Sequence, residues 1–249
     1  MTRGSWLVTA FACLLAAGAT TGLTTPPDDG THKVLSGRQV EVPTLAPAVP
    51  ASKSPTLGFV PEQGGLWRLD VPRDAGGDVR TVRGHSDPPR EADRTVTVRV
   101  LVEAGLGVDG QEFARQVMAT LNDERGWGHD GSLVFARTDG EADVDVTLAS
   151  PATTDALCAP VATGGRVSCG RVGFAVLNAE RWAHGAEPFL EAGGTVAEYR
   201  HYLVSHEVGH VLGQAHVRCP APGTPAPVMV QQTLDLDGCL PNGWPALGG

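Results

Sequence analysis

Three histidines and one glutamate lie close together between residues 206 and 216. His206-Glu207-Val208-Gly209-His210 is followed by Gly213 and then His216, which gives the pattern H-E-x-x-H-x-x-G-x-x-H. On a helix, residues four apart share one face, so the first two imidazoles can reach a single ion. Glycine tolerates a positive φ, so Gly213 can end the helix and turn the chain back to bring in His216. The spacing therefore predicts a metal site with three histidine ligands, and Zn²⁺ is the expected ion.

The same pattern predicts hydrolytic chemistry. Three neutral imidazoles leave Zn²⁺ an open position for water, whose pKa the ion can lower to about 7. Glu207 adjoins a ligand without being one, so we expect it to act as general base and then general acid on a peptide bond. A structural zinc site is one alternative, although such sites usually have a fourth protein ligand. A zinc-stabilised binding module without catalysis is another, although it would have no use for Glu207.

A methionine follows the third histidine, in Pro227-Val228-Met229-Val230. The extended histidine pattern together with this methionine resembles the metzincin clan of zinc endopeptidases. More specifically, the stretch from His216 to Thr233 is similar to an uncharacterised family of secreted actinobacterial proteins that are expected to be zincin-like. The resemblance covers roughly residues 66–245. It implies that Met229 supports the metal site from below, the alternative being an ordinary core methionine.

The metzincin resemblance also implies a fold and a substrate. The fold is α+β, a mixed twisted sheet with the active-site helix packed against it and a short irregular C-terminal part. In such folds the last strand before the helix lies antiparallel at the sheet edge along the cleft, where it can bind an extended peptide. In this chain that strand would be formed by Arg171, Val172, Gly173, Phe174, Ala175, Val176 and Leu177. A zinc amidase that acts on a cell-wall amide would share the chemistry and is the alternative reaction.

Apolar periodicity predicts the elements that position these groups. Valines alternate along Arg94–Glu103, as in a strand with one buried face. Two helices begin with capping-box spacing, Asp109–Asp123 with Asp109 and Glu112, and Thr195–Leu212 with Thr195 and Glu198. The second helix carries His206 and His210. Further strands are predicted at Ser132–Arg137, Asp143–Ala149 and Arg171–Leu177.

The cysteines predict two disulfides. Four of them, Cys158, Cys169, Cys219 and Cys239, lie beyond the N-terminal segment, and three connectivities are possible. Short loop closure favours the sequential pairs Cys158–Cys169 and Cys219–Cys239. A zinc site built on cysteines is disfavoured, because no two of them have C-x-x-C spacing.

The N-terminal residues predict export. Residues 1–19 combine Arg3, an apolar run and small residues, as in a signal peptide. Residues 20–65 contain seven prolines and predict a disordered linker or propeptide, which leaves residues 66–249 as the folded domain. We expect a secreted protein, anchored to a membrane only if residues 4–19 stay uncleaved. The net charge of 19 − 28 = −9 argues against nucleic acid as a partner, so the expected partner is a peptide or protein substrate.

Overall fold

The computed structural model describes residues 63–248, which form an α+β structure around one mixed sheet. The strands are β1 (Val79–Thr81), β2 (Arg94–Glu103), β3 (Leu133–Arg137), β4 (Val144–Ala149), β5 (Cys169–Arg171) and β6 (Phe174–Asn178). The helices are α1 (Gly110–Leu121), α2 (Pro151–Cys158), α3 (Ala179–His184), α4 (Glu187–Glu191) and α5 (Val196–Val211). After α5, the described chain has irregular structure up to a short 3-10 helix at Pro245–Leu247. The predicted α+β class, with a mixed sheet and an irregular C-terminal part, is confirmed.

The sheet is built around β2, the longest strand. β1 and β3 both pair along one side of β2, and β4, β6 and β5 follow in that order on its other side. Strands β2, β3, β4 and β6 run parallel, whereas β1 and β5 run antiparallel to their neighbours. Val96, Val98 and Val100 are fully buried, because alternate residues of a strand point to the same face. The predicted bounds of this strand are confirmed.

The two faces of the sheet are covered by different helices. Helix α5 packs on β5 and β6 and also contacts α1 and α3. On the opposite face, α2 packs on β6, β4 and β5, where Cys158 of the helix lies in one cluster with Cys169 of β5 and Val176 of β6. The main core therefore lies on the α5 side, where it supports the helix that carries the histidine pattern.

Only one of the two predicted capping boxes is complete. At α5, the Thr195 hydroxyl accepts the Glu198 N–H, and the Glu198 carboxylate accepts the Thr195 N–H. At α1, the Asp109 carboxylate accepts two backbone N–H groups, but the Glu112 carboxylate binds Arg115 instead of the Asp109 N–H. The Asp109 N–H instead donates to the Gly65 carbonyl, because Gly65 packs against the start of α1.

The predicted single edge strand over Arg171–Leu177 is wrong. Gly173 has φ +88°, and the two-residue turn Val172–Gly173 folds this stretch into a hairpin of β5 and β6. Strand β6 is paired on both sides, with β4 and with β5. The free edge is therefore β5, which ends where the predicted strand was expected to begin.

Both predicted disulfides are present. Cys158 is bonded to Cys169 and Cys219 to Cys239, with Cα–Cα distances of 6.1 and 5.8 Å. Two disulfides favour an oxidising, extracellular location. Within residues 63–248, no helix has the length and apolar character needed to cross a membrane.

The predicted signal peptide at residues 1–19 and most of the predicted linker at residues 20–65 lie outside the described residues. Gln63–Gly65 belong to the packed structure, since the Gly64 carbonyl accepts a hydrogen bond from the Trp182 indole N–H at 2.8 Å. The packed chain therefore includes three residues that precede the predicted start of the domain.

Candidate metal centre and cleft

The histidine pattern forms one cluster at the C-terminal end of α5. His206 and His210 lie one turn apart on the helix, and Gly213, with φ +90°, turns the chain so that His216 reaches them. No atom lies within 4 Å of a Cβ built on Gly213, so the positive φ alone explains the glycine. The predicted role of Gly213 in the turn is thus confirmed.

The three imidazoles are spaced as ligands of one ion. The Nε2 atom of His216 lies 3.3 Å from that of His206 and 3.0 Å from that of His210. Two nitrogens that are each about 2.0–2.1 Å from a tetrahedral ion lie about 3.3–3.4 Å apart. In the described part of the chain, this is the one cluster of potential ligand residues that could hold a metal ion.

Backbone carbonyls fix the rings of the two helical histidines. His206 Nδ1 lies 2.8 Å from the Val228 carbonyl oxygen, and His210 Nδ1 lies 2.9 Å from the Gln214 carbonyl oxygen. A carbonyl can only accept, so in each ring Nδ1 carries the hydrogen and Nε2 presents its lone pair to the cluster. Such outer hydrogen bonds orient the ligands of metal sites.

At two of the three histidines, His206 and His216, burial favours the neutral imidazole. Burial lowers the pKa of His206 to about 3, and the neighbouring His210 and His216 add to the effect. Burial, followed by the nearby His210, also lowers the pKa of His216. A neutral imidazole is the form that binds a metal ion. Burial raises the pKa of the Glu207 carboxyl to about 8.

Met229 lies beneath the helix that carries the ligands. It is buried, and its Sδ would be 2.5 Å from a Cβ built on Gly209, the residue before His210. The Trp127 ring approaches the same point to 2.6 Å, and its N–H donates to the Ser205 carbonyl at 2.8 Å. Gly209 therefore permits a close contact between α5 and the support formed by Met229 and Trp127.

The cluster opens into a cleft of about 230 Å³. One wall is the segment between α2 and β5, which is closed by the Cys158–Cys169 disulfide. The other wall follows Met229 and belongs to the loop closed by Cys219–Cys239. The cleft is lined by Val161, Val167, Ser168, Cys169, Gly170, Tyr202, His206, Glu207, His210, His216, Gln231, Thr233 and Leu234. Each disulfide thus braces one wall.

The structure brings some of the predicted site residues together and leaves others apart. His206, Glu207, His210 and His216 line the cleft, whereas the predicted substrate-binding residues Arg171–Leu177 do not. The strand residues that line it are Cys169 and Gly170 of β5. The reason is the hairpin, whose turn carries the chain away from the cleft after Arg171.

Several residues of the site could not be predicted from the histidine pattern. A Cβ on Gly170 would collide with the Glu207 carbonyl, so glycine lets β5 lie directly on α5, a contact that depends on tertiary packing. Gln231 belongs to a stretch without periodicity. Tyr202 could have been found, because it precedes His206 by one helical turn and therefore shares its face.

Comparison with known proteins shows a family. The model of the family described as "Protein of unknown function (DUF3152)" matches residues 68–240, and the chain belongs to this family. No curated protein and no protein of solved structure matches the chain. The family description states no activity, so the chemistry of the cleft carries the functional argument.

Proposed function

We propose that this chain is a secreted, zinc-dependent endopeptidase of metzincin type. The observation that carries the proposal is the convergence of three imidazole Nε2 atoms beside Glu207 in an open cleft. A structural zinc site usually has a fourth protein ligand. Among the described residues, the cluster contains three histidines and no fourth ligand, which supports a site with a position open to water or substrate.

The nature of the ligands supports zinc. Neutral imidazoles with the spacing expected for tetrahedral coordination suit Zn²⁺, although they also bind other transition ions. When bound, zinc lowers the pKa of water and polarises the carbonyl oxygen of a substrate. His206, His210 and His216 would hold the ion, with Met229 packed beneath them.

Glu207 is the residue that would move the proton. It takes a proton from water as the water oxygen attacks the peptide carbonyl carbon, and it passes that proton to the leaving amine when the C–N bond breaks. Burial raises the pKa of Glu207, whereas a nearby cation lowers the pKa of a carboxyl. A bound cation would therefore oppose the effect of burial and favour the carboxylate form that a general base needs.

The edge of the sheet supports a peptide substrate. In a hairpin with a two-residue loop, Arg171 and Phe174 form the hydrogen-bonded closing pair, so the N–H and C=O of Gly170 point away from β6. Gly170 also lies against Glu207 and lines the cleft. An extended peptide could pair with this free edge beside the proposed general base. We therefore propose β5, instead of Arg171–Leu177, as the strand that pairs with the substrate.

The residues that line the cleft favour an endopeptidase, which cleaves internal peptide bonds, over an exopeptidase. Exopeptidases must bind a terminal charge, and the described lining residues include no lysine or arginine that could bind a terminal carboxylate. Glu207 is the one carboxylate among them, and its role in proton transfer leaves no further carboxylate for a terminal ammonium group. The cleft is open to solvent on the side of Val161 and Leu234, which are both more than half exposed.

The test separates metal binding from catalysis. Glu207→Gln should keep about one zinc per chain and lose about 10²–10⁴-fold in casein hydrolysis, because only the general base is removed. His210→Ala should lose zinc and hydrolysis together. The matched controls are Glu187→Gln and His129→Ala, which change exposed residues outside the cleft and should leave both quantities unchanged.

The alternatives predict other outcomes. A non-catalytic binding module would hold zinc but leave casein and a peptidoglycan preparation intact. A cell-wall amidase would release soluble fragments from peptidoglycan without cleaving casein. Wild-type protein that binds no zinc would contradict the metal assignment itself.

A further inference from the structure

The walls of the cleft contain four neutral side chains that can donate hydrogen bonds, namely Ser168, Tyr202, Gln231 and Thr233. Tyr202 donates its O–H to the Val230 carbonyl at 3.2 Å. The Thr233 hydroxyl lies 2.8 Å from the hydroxyl of the buried Tyr199. These two groups are therefore already engaged within the protein.

Ser168 and Gln231 differ from each other in exposure. Ser168 is buried, and its hydroxyl oxygen accepts the Asn178 N–H at 2.9 Å. The Gln231 side chain is exposed, and no protein group within residues 63–248 bonds to its amide. Gln231 is thus the one of these four donors whose side chain is exposed to a molecule that enters the cleft.

The backbone of Gln231 is held firmly although its side chain is exposed. Its carbonyl accepts the N–H groups of Leu234 at 2.8 Å and Asp235 at 3.1 Å. The next residue, Gln232, is fully buried, and its amide oxygen accepts the Asn242 N–H at 3.0 Å. The fixed backbone holds the Gln231 side chain at the cleft, so that a bound molecule has to order only the rotamers of this side chain.

We propose that Gln231 is a further catalytic residue, whose amide N–H binds the carbonyl oxygen of the substrate as that oxygen becomes an oxyanion; the assignment rests on the proposed function. When the water oxygen bonds to the carbonyl carbon, the π electron pair moves onto the carbonyl oxygen. Gln231 donates a hydrogen bond there and transfers no proton. The C–N bond then breaks, the carbonyl re-forms, and the amine takes its proton from Glu207.

The kinetic test uses Gln231→Met, which keeps the length of the side chain and removes the donor. Loss of one oxyanion donor typically lowers kcat by about 10²–10³-fold. We expect a fall in kcat of about 100-fold on a peptide substrate, with KM and the zinc content nearly unchanged. Gln63→Met is the matched control, because Gln63 lies outside the cleft and should tolerate the same change. A raised KM with unchanged kcat would contradict the assignment.

A second measurement does not depend on turnover. An alanyl phosphinic peptide carries a tetrahedral phosphinate in place of the scissile amide, and a residue that binds the oxyanion should bind it. Its affinity for zinc-loaded protein, measured by calorimetry, should fall at least tenfold in Gln231→Met and stay unchanged in Gln63→Met.

The two measurements separate the two proposals. If wild type cleaves no peptide but the phosphinate binds and loses affinity in Gln231→Met, the donor role stands and the endopeptidase proposal falls. If wild type cleaves peptides and Gln231→Met changes neither kcat nor phosphinate affinity, the donor role falls and the endopeptidase stands. If wild type neither cleaves peptides nor binds the phosphinate, both fall.

Discussion

Two regions of the molecule meet at the candidate metal centre, and they are stabilised in different ways. The regular region, residues 79–211, contributes His206, Glu207 and His210 from a helix that packs on a sheet. The irregular region, residues 212–244, contributes His216 and Met229. The regular region depends on a large apolar core, whereas the irregular region has a small one, formed by Ala226, Val230, Leu236 and Cys239.

Buried amides and a disulfide take the place of a large core in the irregular region. Asn242 donates to the carbonyls of Ala226 at 2.8 Å and Trp244 at 2.9 Å, and Gln232 donates to the Asn242 carbonyl at 2.7 Å. Cys219–Cys239 closes the same loop. A buried polar group costs free energy unless it is hydrogen-bonded. These amides find their partners in the observed loop conformation, so they stabilise that conformation over others. The site needs both regions to be rigid, and rigidity comes from apolar packing in the regular region and from fully bonded polar groups in the irregular one.

The largest expected effect comes from the centre of the regular region. Val98→Asp places a charge at a fully buried position of β2, between β3 and β4. The cost should be at least about 4 kcal/mol, which is comparable with the total stability of many domains. We expect the variant to lose its cooperative thermal unfolding transition by circular dichroism. Val172→Asp is the matched control, since Val172 is 87% exposed at the hairpin turn. A normal transition in Val98→Asp would contradict the apolar basis of this region.

Removal of the Cys219–Cys239 disulfide should have a smaller and more local effect. Cross-links that close loops of this length contribute about 3 kcal/mol in the chain-entropy model. The double variant Cys219→Ala/Cys239→Ala should keep its strand and helix signal but bind zinc more weakly, because the released loop contains Val228, whose carbonyl orients His206, and begins three residues after His216. Zinc titration with a competing chelator measures the change in zinc affinity.

The other disulfide provides the comparison. Cys158→Ala/Cys169→Ala should destabilise the protein by a similar amount, about 3 kcal/mol, since its loop is only moderately shorter. It braces the wall formed by the segment before β5 and holds no histidine, so zinc affinity should change little. Equal losses of zinc affinity in both double variants would show that the two regions do not hold the site independently.

The sequence could predict the regular region better than the irregular one, for physical reasons. Alternating valines in Arg94–Glu103 and the spacing of His206, Glu207 and His210 reflect local periodicities, which a helix or strand imposes whatever its surroundings. The β5–β6 hairpin was missed because Gly173 lies within an otherwise continuous strand-like stretch, where a turn glycine and a strand glycine have the same appearance.

The rest of the site depends on contacts between residues distant in sequence. Gln232 and Asn242 are ten residues apart, and neither repeats with a period that indicates burial. Gly170 is a glycine because α5 lies against it. The disulfide pairs are an exception, because loop closure favours near neighbours, and that rule identified both bridges correctly.

The smallest expected effect is at the junction of the two regions, at Gly209. On helix propensity alone, Gly209→Ala should stabilise α5 by about 1 kcal/mol. The new methyl group would collide with Met229 Sδ and with the Trp127 ring, at 2.5 and 2.6 Å. Overpacking typically costs about 1–3 kcal/mol, so we expect a net loss of about 1 kcal/mol in thermal unfolding. Zinc affinity should also fall, because the Val228 carbonyl that orients His206 immediately precedes Met229.

A double-mutant cycle locates this effect at the junction. Met229→Ala alone should destabilise the protein by leaving a cavity beneath α5. In the Met229→Ala background, the methyl group added by Gly209→Ala no longer meets the sulfur atom. Gly209→Ala should therefore lower the free energy of unfolding by less than it does in wild type, with a coupling free energy of about 1 kcal/mol. Additive losses of stability would mean that Met229 does not restrict residue 209. A single variant Gly209→Ala that is more stable than wild type would mean that helix propensity outweighs overpacking. Either result would remove the packing argument that joins the irregular region to the helix of the metal ligands.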